Sequence, residues 1–151
     1  MEIRRASVDD SLDALVTQCR VPGVKPERAL ELAHGATERG ECLIHVAGSG
    51  EIDGYAITSV GTFFGRDFIV LLAVAPASRR QGVASALLAD AVRLAQSEVT
   101  FTSTNESNAA MQSLLRRDGW TFSGSLSGID PGDPELVYWR RRDSAPASGT
   151  L

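Results

Sequence analysis

The chain has 151 residues, 43% of them hydrophobic and 23% charged, with 15 Lys and Arg against 19 Asp and Glu for a net charge of −4. That length suits one domain able to bury on the order of two-thirds of its surface, so residues 1–142 are expected to form a single unit. An acidic balance, with pI ≈ 5.1, argues against a general nucleic-acid or anionic-membrane binder, because both need a basic face.

Residues 2–6 read as a short strand. Ser7 or Asp9 can cap a helix running to about Arg20, with Val8, Leu12, Leu15, Val16 and Cys19 as its apolar stripe. Val21, Pro22 and Gly23 break it, Pro26 opens a second helix through Glu38, and Gly40 ends that one. Residues 42–47 and 52–62 make a hairpin about Gly48, Ser49 and Gly50. After the turn at 65–67 comes 68–74, an unbroken apolar run expected to be a strand buried on both faces. Pro76 stops it, since proline has no N–H for a ladder. A small-residue turn then feeds a helix in which Ala84, Leu87, Leu88, Ala91, Leu94 and Ala95 recur at helical spacing. Residues 98–104 alternate like a strand, another helix follows, and 120–126 with 136–142 form a late hairpin. Residues 143–151 have almost nothing to bury and are expected to be a disordered tail. The order β-α-α-β-β-β-α-β-α-β-β is an α/β layout with a mixed sheet. Strand 68–74, its helix and strand 99–104 must be a βαβ unit with parallel strands.

Chemistry concentrates where strand 68–74 meets its helix. The first N–H groups of a helix lack internal partners, and the helix dipole places partial positive charge there. Gly82 and Ala84 leave room for an anion to touch that backbone, which makes a phosphate seat. The string G-x-x-x-x-G-K-[ST] of nucleoside-triphosphate loops is absent, and a dinucleotide fingerprint would need three glycines where one stands.

The pattern [RQ]-x-x-G-x-[GA], after a strand ending V-x-P, is carried by Val74, Pro76, Arg79, Gly82 and Ala84. It resembles the acetyl-CoA signature of the GNAT N-acetyltransferases. Downstream, Asn108, Leu114, Gly119 and Trp120 fit that family's N-x-x-A-x-x-L-Y-x-K-x-G-F segment, with Arg117 for Lys, Met111 for Ala and Leu115 for Tyr. The resemblance spans nearly the whole chain. It implies a GNAT-like fold, a central mixed β-sheet flanked by helices, whose two parallel strands splay apart to admit the pantetheine arm of acetyl-CoA. Backbone groups of Leu72, Ala73 and Val74 would pair with that arm. Arg79 and the segment Arg80, Gln81, Gly82, Val83, Ala84 and Ser85 would hold the pyrophosphate, and Asn108 would touch the pantetheine. Read without the resemblance, Arg79 and Arg80 are a solvated pair, and Ser107 or Asn108 is a helix cap.

The implied reaction is acetyl transfer to a primary amine of a small molecule or protein, with the Val74 N–H as oxyanion donor. A glutamate usual five residues before the motif Asn is here Ser103, and Leu115 cannot protonate a leaving thiolate. Ser103 holding a water is the candidate proton relay, with Glu135 and Tyr138 next. Asp130, Asp133 and Glu135 could draw a cationic acceptor, or simply solvate a turn. A catalytically silent acyl-CoA-binding module is the alternative function, and a dinucleotide-binding enzyme a third. No metal is expected: Cys19 and Cys42 make no zinc site, and His34 and His45 read as structural. With no signal-like start and no 18-residue apolar run, no membrane contact is expected and the cytoplasm is the expected location. No nucleic-acid partner is expected, and the chain should be a monomer or homodimer.

Overall fold

The computed structural model describes residues 1–143; of the expected tail, residues 144–151 lie outside them. The elements are β1 (Glu2–Arg5), α1 (Asp13–Gln18), α2 (Pro26–Arg39), β2 (Cys42–Val46), β3 (Ile52–Phe63), β4 (Arg66–Val74), α3 (Val83–Leu94), β5 (Val99–Asn105), α4 (Ala109–Arg117), β6 (Thr121–Leu126) and β7 (Glu135–Arg141). The strands form one seven-stranded mixed sheet in the order β1-β2-β3-β4-β5-β7-β6. Of its neighbouring pairs, β4 and β5 alone run parallel, as the βαβ reading requires.

Two cores sit on opposite faces of the sheet. On one face Leu15, Val16, Ala29, Ala33 and Ala36 of α1 and α2 pack on Tyr55, Ile57 and Leu71. The three alanines of α2 keep that helix close to the strands. On the other face Leu87, Leu88 and Leu115 of α3 and α4 pack on Ala56, Ile69, Leu136 and Tyr138.

Two local expectations need correction. The first helix starts at Asp13, without a side-chain cap, and not at Ser7 or Asp9. The reason is Asp10. Its carboxylate takes two 2.8 Å bonds from the Arg4 guanidinium and a 2.7 Å bond from the Ser7 N–H, which ties 7–10 into a turn. Val8 is therefore exposed and has no place in the apolar stripe.

The second correction concerns β4, which is not buried on both faces. Ile57 pairs with Leu71 and Thr58 with Ile69, so Val70 is the extra residue of a β-bulge. In a regular strand residues two apart share a face. Here Ile69 joins the α3 side and Leu71 the α1 side. Val70 is left 41% exposed.

The end of β4 nearest the β3–β4 turn is clamped. Phe68 stands opposite Phe101, and Phe63 stacks on both at 4.9 and 5.0 Å. Buried Asp67 accepts from the Gly61 N–H at 3.1 Å and the Gln96 N–H at 2.8 Å, and its own N–H donates to Ser97 Oγ.

Two stability predictions follow from these contacts. Tyr55 is fully buried and its hydroxyl has no partner among the described residues. Burial pushes that phenol up to about 12. Tyr55→Phe should therefore be neutral or stabilising by about 1 kcal/mol in urea melts, because it removes an orphaned polar group. Arg4, and then the Ser7 N–H, hold the Asp10 carboxyl well below the usual carboxylate range. A depressed folded-state pKa gives stability that is full above pH about 4 and is lost as pH falls below it. Asp10→Asn should flatten that acid limb in denaturant titrations across pH 2–6, while lowering stability at pH 7.

Candidate active site

The parallel ladder is three pairs long: Asp67 with Thr100, Phe68 with Phe101, and Ile69 with Thr102. Thr102 Oγ1 donates to the Ile69 carbonyl at 3.1 Å and closes it. Beyond the bulge, β4 runs on to Val74 and β5 to Asn105 without pairing to each other. The Ala75 N–H donates to Asp53 O at 2.8 Å, on the β3 side. Alternation along a strand therefore turns the Leu72 and Val74 N–H groups into the gap. This opening is a cleft of ≈ 610 Å³, lined by Val70 to Val74, Thr102 to Asn105, the α1–α2 loop, α4 and Glu135. It continues into a second hollow of ≈ 460 Å³ at the start of α3, with Val74, Arg79, Arg80 and Ala84 on both walls.

Hydrogen-bond donors gather around that hollow. A 3₁₀ turn at Pro76–Ser78 follows β4, Arg80 takes φ 63°, and Gly82 takes φ 83° as the residue before α3. A left-handed conformation costs a non-glycine residue about 1–2 kcal/mol, so the strain at Arg80 is spent on curving the loop. No side chain caps α3, and its first internal bond runs from the Ala86 N–H to Gly82 O. The N–H groups of Val83, Ala84 and Ser85 thus lack partners within the helix. Arg79 Nε donates to Val74 O at 3.2 Å, which binds the loop to the end of β4. Gln81 turns its amide back onto Ala77 O, 3.3 Å away. Arg117, which the sequence reading treated only as a stand-in for Lys, reaches across from α4 to Ser85 Oγ at 3.2 Å and lines the hollow. Its motif position was the available signal.

The remaining candidates separate clearly. Ser103 and Glu135 both line the cleft. Ser103 pairs with Val137, two residues along β7 from Glu135, so the two are diagonal neighbours about 7–8 Å apart on one face. Tyr138 points to the other face, buried against Phe122 in the α3–α4 core, and lies outside the cleft. Leu115 is fully buried in that core. Asn108 caps α4 through a 3.1 Å bond from the Met111 N–H, as its reading as a helix cap expects, and it also lines the cleft. Asp130 accepts from Asn105 Nδ2 at 2.8 Å, and Asp133 from the Ser107 N–H and hydroxyl at 2.9 and 2.6 Å. Those two acids fasten the β6–β7 loop to the β5–α4 turn, which leaves Glu135 as the acid of the three that faces the cleft. Cys19 and Cys42 are buried, as expected; burial pushes the Cys19 thiol up, although Arg79 pulls it the other way. His34 meets Asp13 at 2.8 Å and buried His45 meets Asp53 at 2.5 Å. Among the described residues no cluster suits a metal, and no helix is long and apolar enough to cross a membrane.

A mixed sheet that parts beside an uncapped, glycine-led helix start defines the acyl-CoA N-acyltransferase fold. The family model described as "Acetyltransferase (GNAT) family" matches residues 10–120, and the chain belongs to that family. It is 33% identical to a GNAT-family acetyltransferase from Bacillus cereus, covering 95% of this chain and 98% of that one at TM-score 0.83. A GNAT-family acetyltransferase from Desulfovibrio desulfuricans is 21% identical, with coverage of 94% and 99% and TM-score 0.76. A chain of the NatC complex bound to Gag peptide and CoA is 16% identical, with coverage of 93% and 99% and TM-score 0.71. No curated protein sequence matches the chain.

Gly82 gives a direct test of the anion seat. A Cβ there meets nothing within 4 Å, but φ +83° strains any side chain. Gly82→Val should weaken acetyl-CoA binding by about tenfold in calorimetry, as the loop relaxes by 1–2 kcal/mol of strain, with the far-UV spectrum unchanged.

Proposed function

We propose that this acetyltransferase carries an acetyl group from acetyl-CoA to the nitrogen of a primary amine, by direct attack on the thioester. The observation that carries the reading is the juxtaposition of two features. The Val74 N–H is free toward the β4–β5 gap, and one turn later the α3 amides and three arginines offer a seat for a diphosphate. In this reading Leu72 to Val74 pair with the pantetheine arm, Arg79 to Ser85 and Arg117 hold the phosphates, and Asn108 borders the arm. The diphosphate and the thioester then lie on one continuous surface.

The nitrogen adds to the thioester carbonyl to give a tetrahedral oxyanion, and the carbon–sulfur bond breaks as that intermediate collapses and the nitrogen sheds its remaining extra proton to solvent. The Val74 N–H faces the oxyanion, a donor role worth about 3–4 kcal/mol in comparable sites. An amine with pKa near 10 arrives protonated, so a base must take a proton before attack. Glu135 takes it through a water held by Ser103, which their diagonal spacing accommodates. The sulfur leaves as thiolate and is protonated by solvent, so the apolar Leu115 is no obstacle. Burial pushes the Cys19 thiol up, which disfavours an acyl-cysteine route relative to direct transfer. Two unpaired buried cysteines also fit the cytoplasm.

The substitutions Ser103 and Leu115 at the usual acid–base positions favour one second reading, a silent acyl-CoA-binding module. Thiol release from acetyl-CoA across a panel of primary amines, with mass detection of the acetylated product, separates the two. Release is expected, with kcat/KM falling about 10²-fold in Glu135→Gln and less in Ser103→Ala, while acetyl-CoA affinity holds. A protein that binds acetyl-CoA and releases no thiol with any amine is a binding module.

A further inference from the structure

The cleft has two unlike halves, because β4 divides it. Leu72 and Val74 pack with Met111 and Leu114 on the α3–α4 side, which is the coenzyme's half. Leu71 and Ala73 pack on the α1–α2 side, which leaves that half to the acceptor. Its walls are apolar: Val21, Pro22 and Val24 from the α1–α2 loop face the bulge residue Val70. The loop closes on itself, Val24 N–H donating to Val21 O at 3.1 Å, and Gly23 lies close to Asp130 of the β6–β7 loop. The two loops therefore meet beside the cleft and limit its width.

Charge in this half is sparse. Glu135 of β7 and Arg20, two residues past α1, are the charged residues that line it; the other two arginines of the cleft, Arg79 and Arg80, also line the hollow at the start of α3. Asp130 and Asp133 are already hydrogen-bonded to Asn105 and Ser107. A polycation would bring several charges to one carboxylate, and leave the rest against apolar walls and a guanidinium, which is costly. An acceptor with one ammonium, one nearby carboxylate and an apolar body matches the charges and the apolar walls of this half. Arginine suits the carboxylate because its planar fork can hold both oxygens.

Resting on the acetyl-transfer reading above, we propose that the acceptor is a small apolar α-amino acid, with Glu135 receiving its ammonium, Arg20 its carboxylate, and Val21, Pro22, Val24 and Val70 its side chain. The ammonium gives one proton toward Glu135 and the freed amine adds to the acetyl carbonyl carbon; as the carbon–sulfur bond breaks, the nitrogen sheds its second proton to solvent and the sulfur departs as thiolate, which solvent protonates.

The test is steady-state thiol release by the full chain with leucine, phenylalanine, leucinamide, isoamylamine, phenethylamine and spermidine, alongside calorimetry with acetyl-CoA. The amino acids should exceed leucinamide and the decarboxylated amines by about tenfold or more in kcat/KM, with spermidine last. Arg20→Ala should collapse the leucine-to-leucinamide ratio to near one through KM, and Arg20→Lys should restore part of it. Preference for spermidine, for leucinamide or for the plain amines overturns this inference and leaves acetyl transfer standing. So does an Arg20→Ala variant that keeps the ratio. Acetyl-CoA binding with no release from any acceptor overturns both readings.

Discussion

The structure depends on a parallel ladder that is allowed to be only three pairs long. At one end Phe63, Phe68 and Phe101 stack, and Asp67 gathers the N–H groups of Gly61 and Gln96, so β4 and β5 cannot separate. At the other end the Val70 bulge changes the phase of β4 while β5 continues regularly. A regular β4 would keep presenting Leu71 and its neighbours in register with β5. The bulge removes that register, and Thr102 Oγ1 takes the last available carbonyl at Ile69. The open wedge is thus a product of one inserted residue held against a rigid clamp. Its unpaired edge is tolerable because the cleft is open to water, and a ligand strand can replace that water with paired amides.

The helix start that completes the site is seated by the opposite device, the absence of a side chain. A Cβ on Gly54 of β3 would lie 2.9 Å from Val83 Cγ1 and 3.1 Å from Leu87 Cδ1. With hydrogen there, the first turns of α3 settle directly on the sheet and their free amides come level with the end of β4. Ala75 and Asp53 fix the same corner, through their backbone bond. Distances across the site are therefore set by backbone and by buried packing, and the arginines only add charge around an already shaped seat. This reconciles a chain of net charge −4 with an anionic coenzyme: Arg79, Arg80 and Arg117 lie within one turn's reach of the uncapped amides, and local field outweighs overall charge at such range.

What could be read from the residues alone was whatever depends on local order. Strand and helix order, the parallel pairing forced by the βαβ unit, and the glycine-led turn at Gly82 each follow from spacing or from a backbone rule. The misread places involve partners outside the element being read. Ser7 and Asp9 looked like caps because nothing local says that Asp10 will bond Arg4 on a strand. The run of residues 68–74 looked doubly buried because a bulge leaves no trace in an all-apolar segment; its phase change is enforced by β3. Tyr138 and Glu135 looked equivalent on a late hairpin, and only the register of β7 against β5 sends one into the core and the other into the cleft. Asp130 and Asp133 read as a free acidic cluster until the fold brought Asn105 and Ser107 beside them.

The acid–base economy of the site follows from the same geometry. Ser103 and Glu135 line the cleft, whereas Leu115 is sealed in the α3–α4 core on the other face of the sheet. The two proton transfers of an amide-forming reaction are therefore unequally supported. In the proposed transfer the amine, which arrives protonated, would be served by a carboxylate and a hydroxyl; the sulfur, whose thiol pKa lies near 8.5, would be given nothing. That asymmetry is chemically sensible. Deprotonating an amine near neutral pH is uphill by several pKa units, while a thiolate is stable enough to leave as it is. A site with help only on the nitrogen side places it where the barrier is.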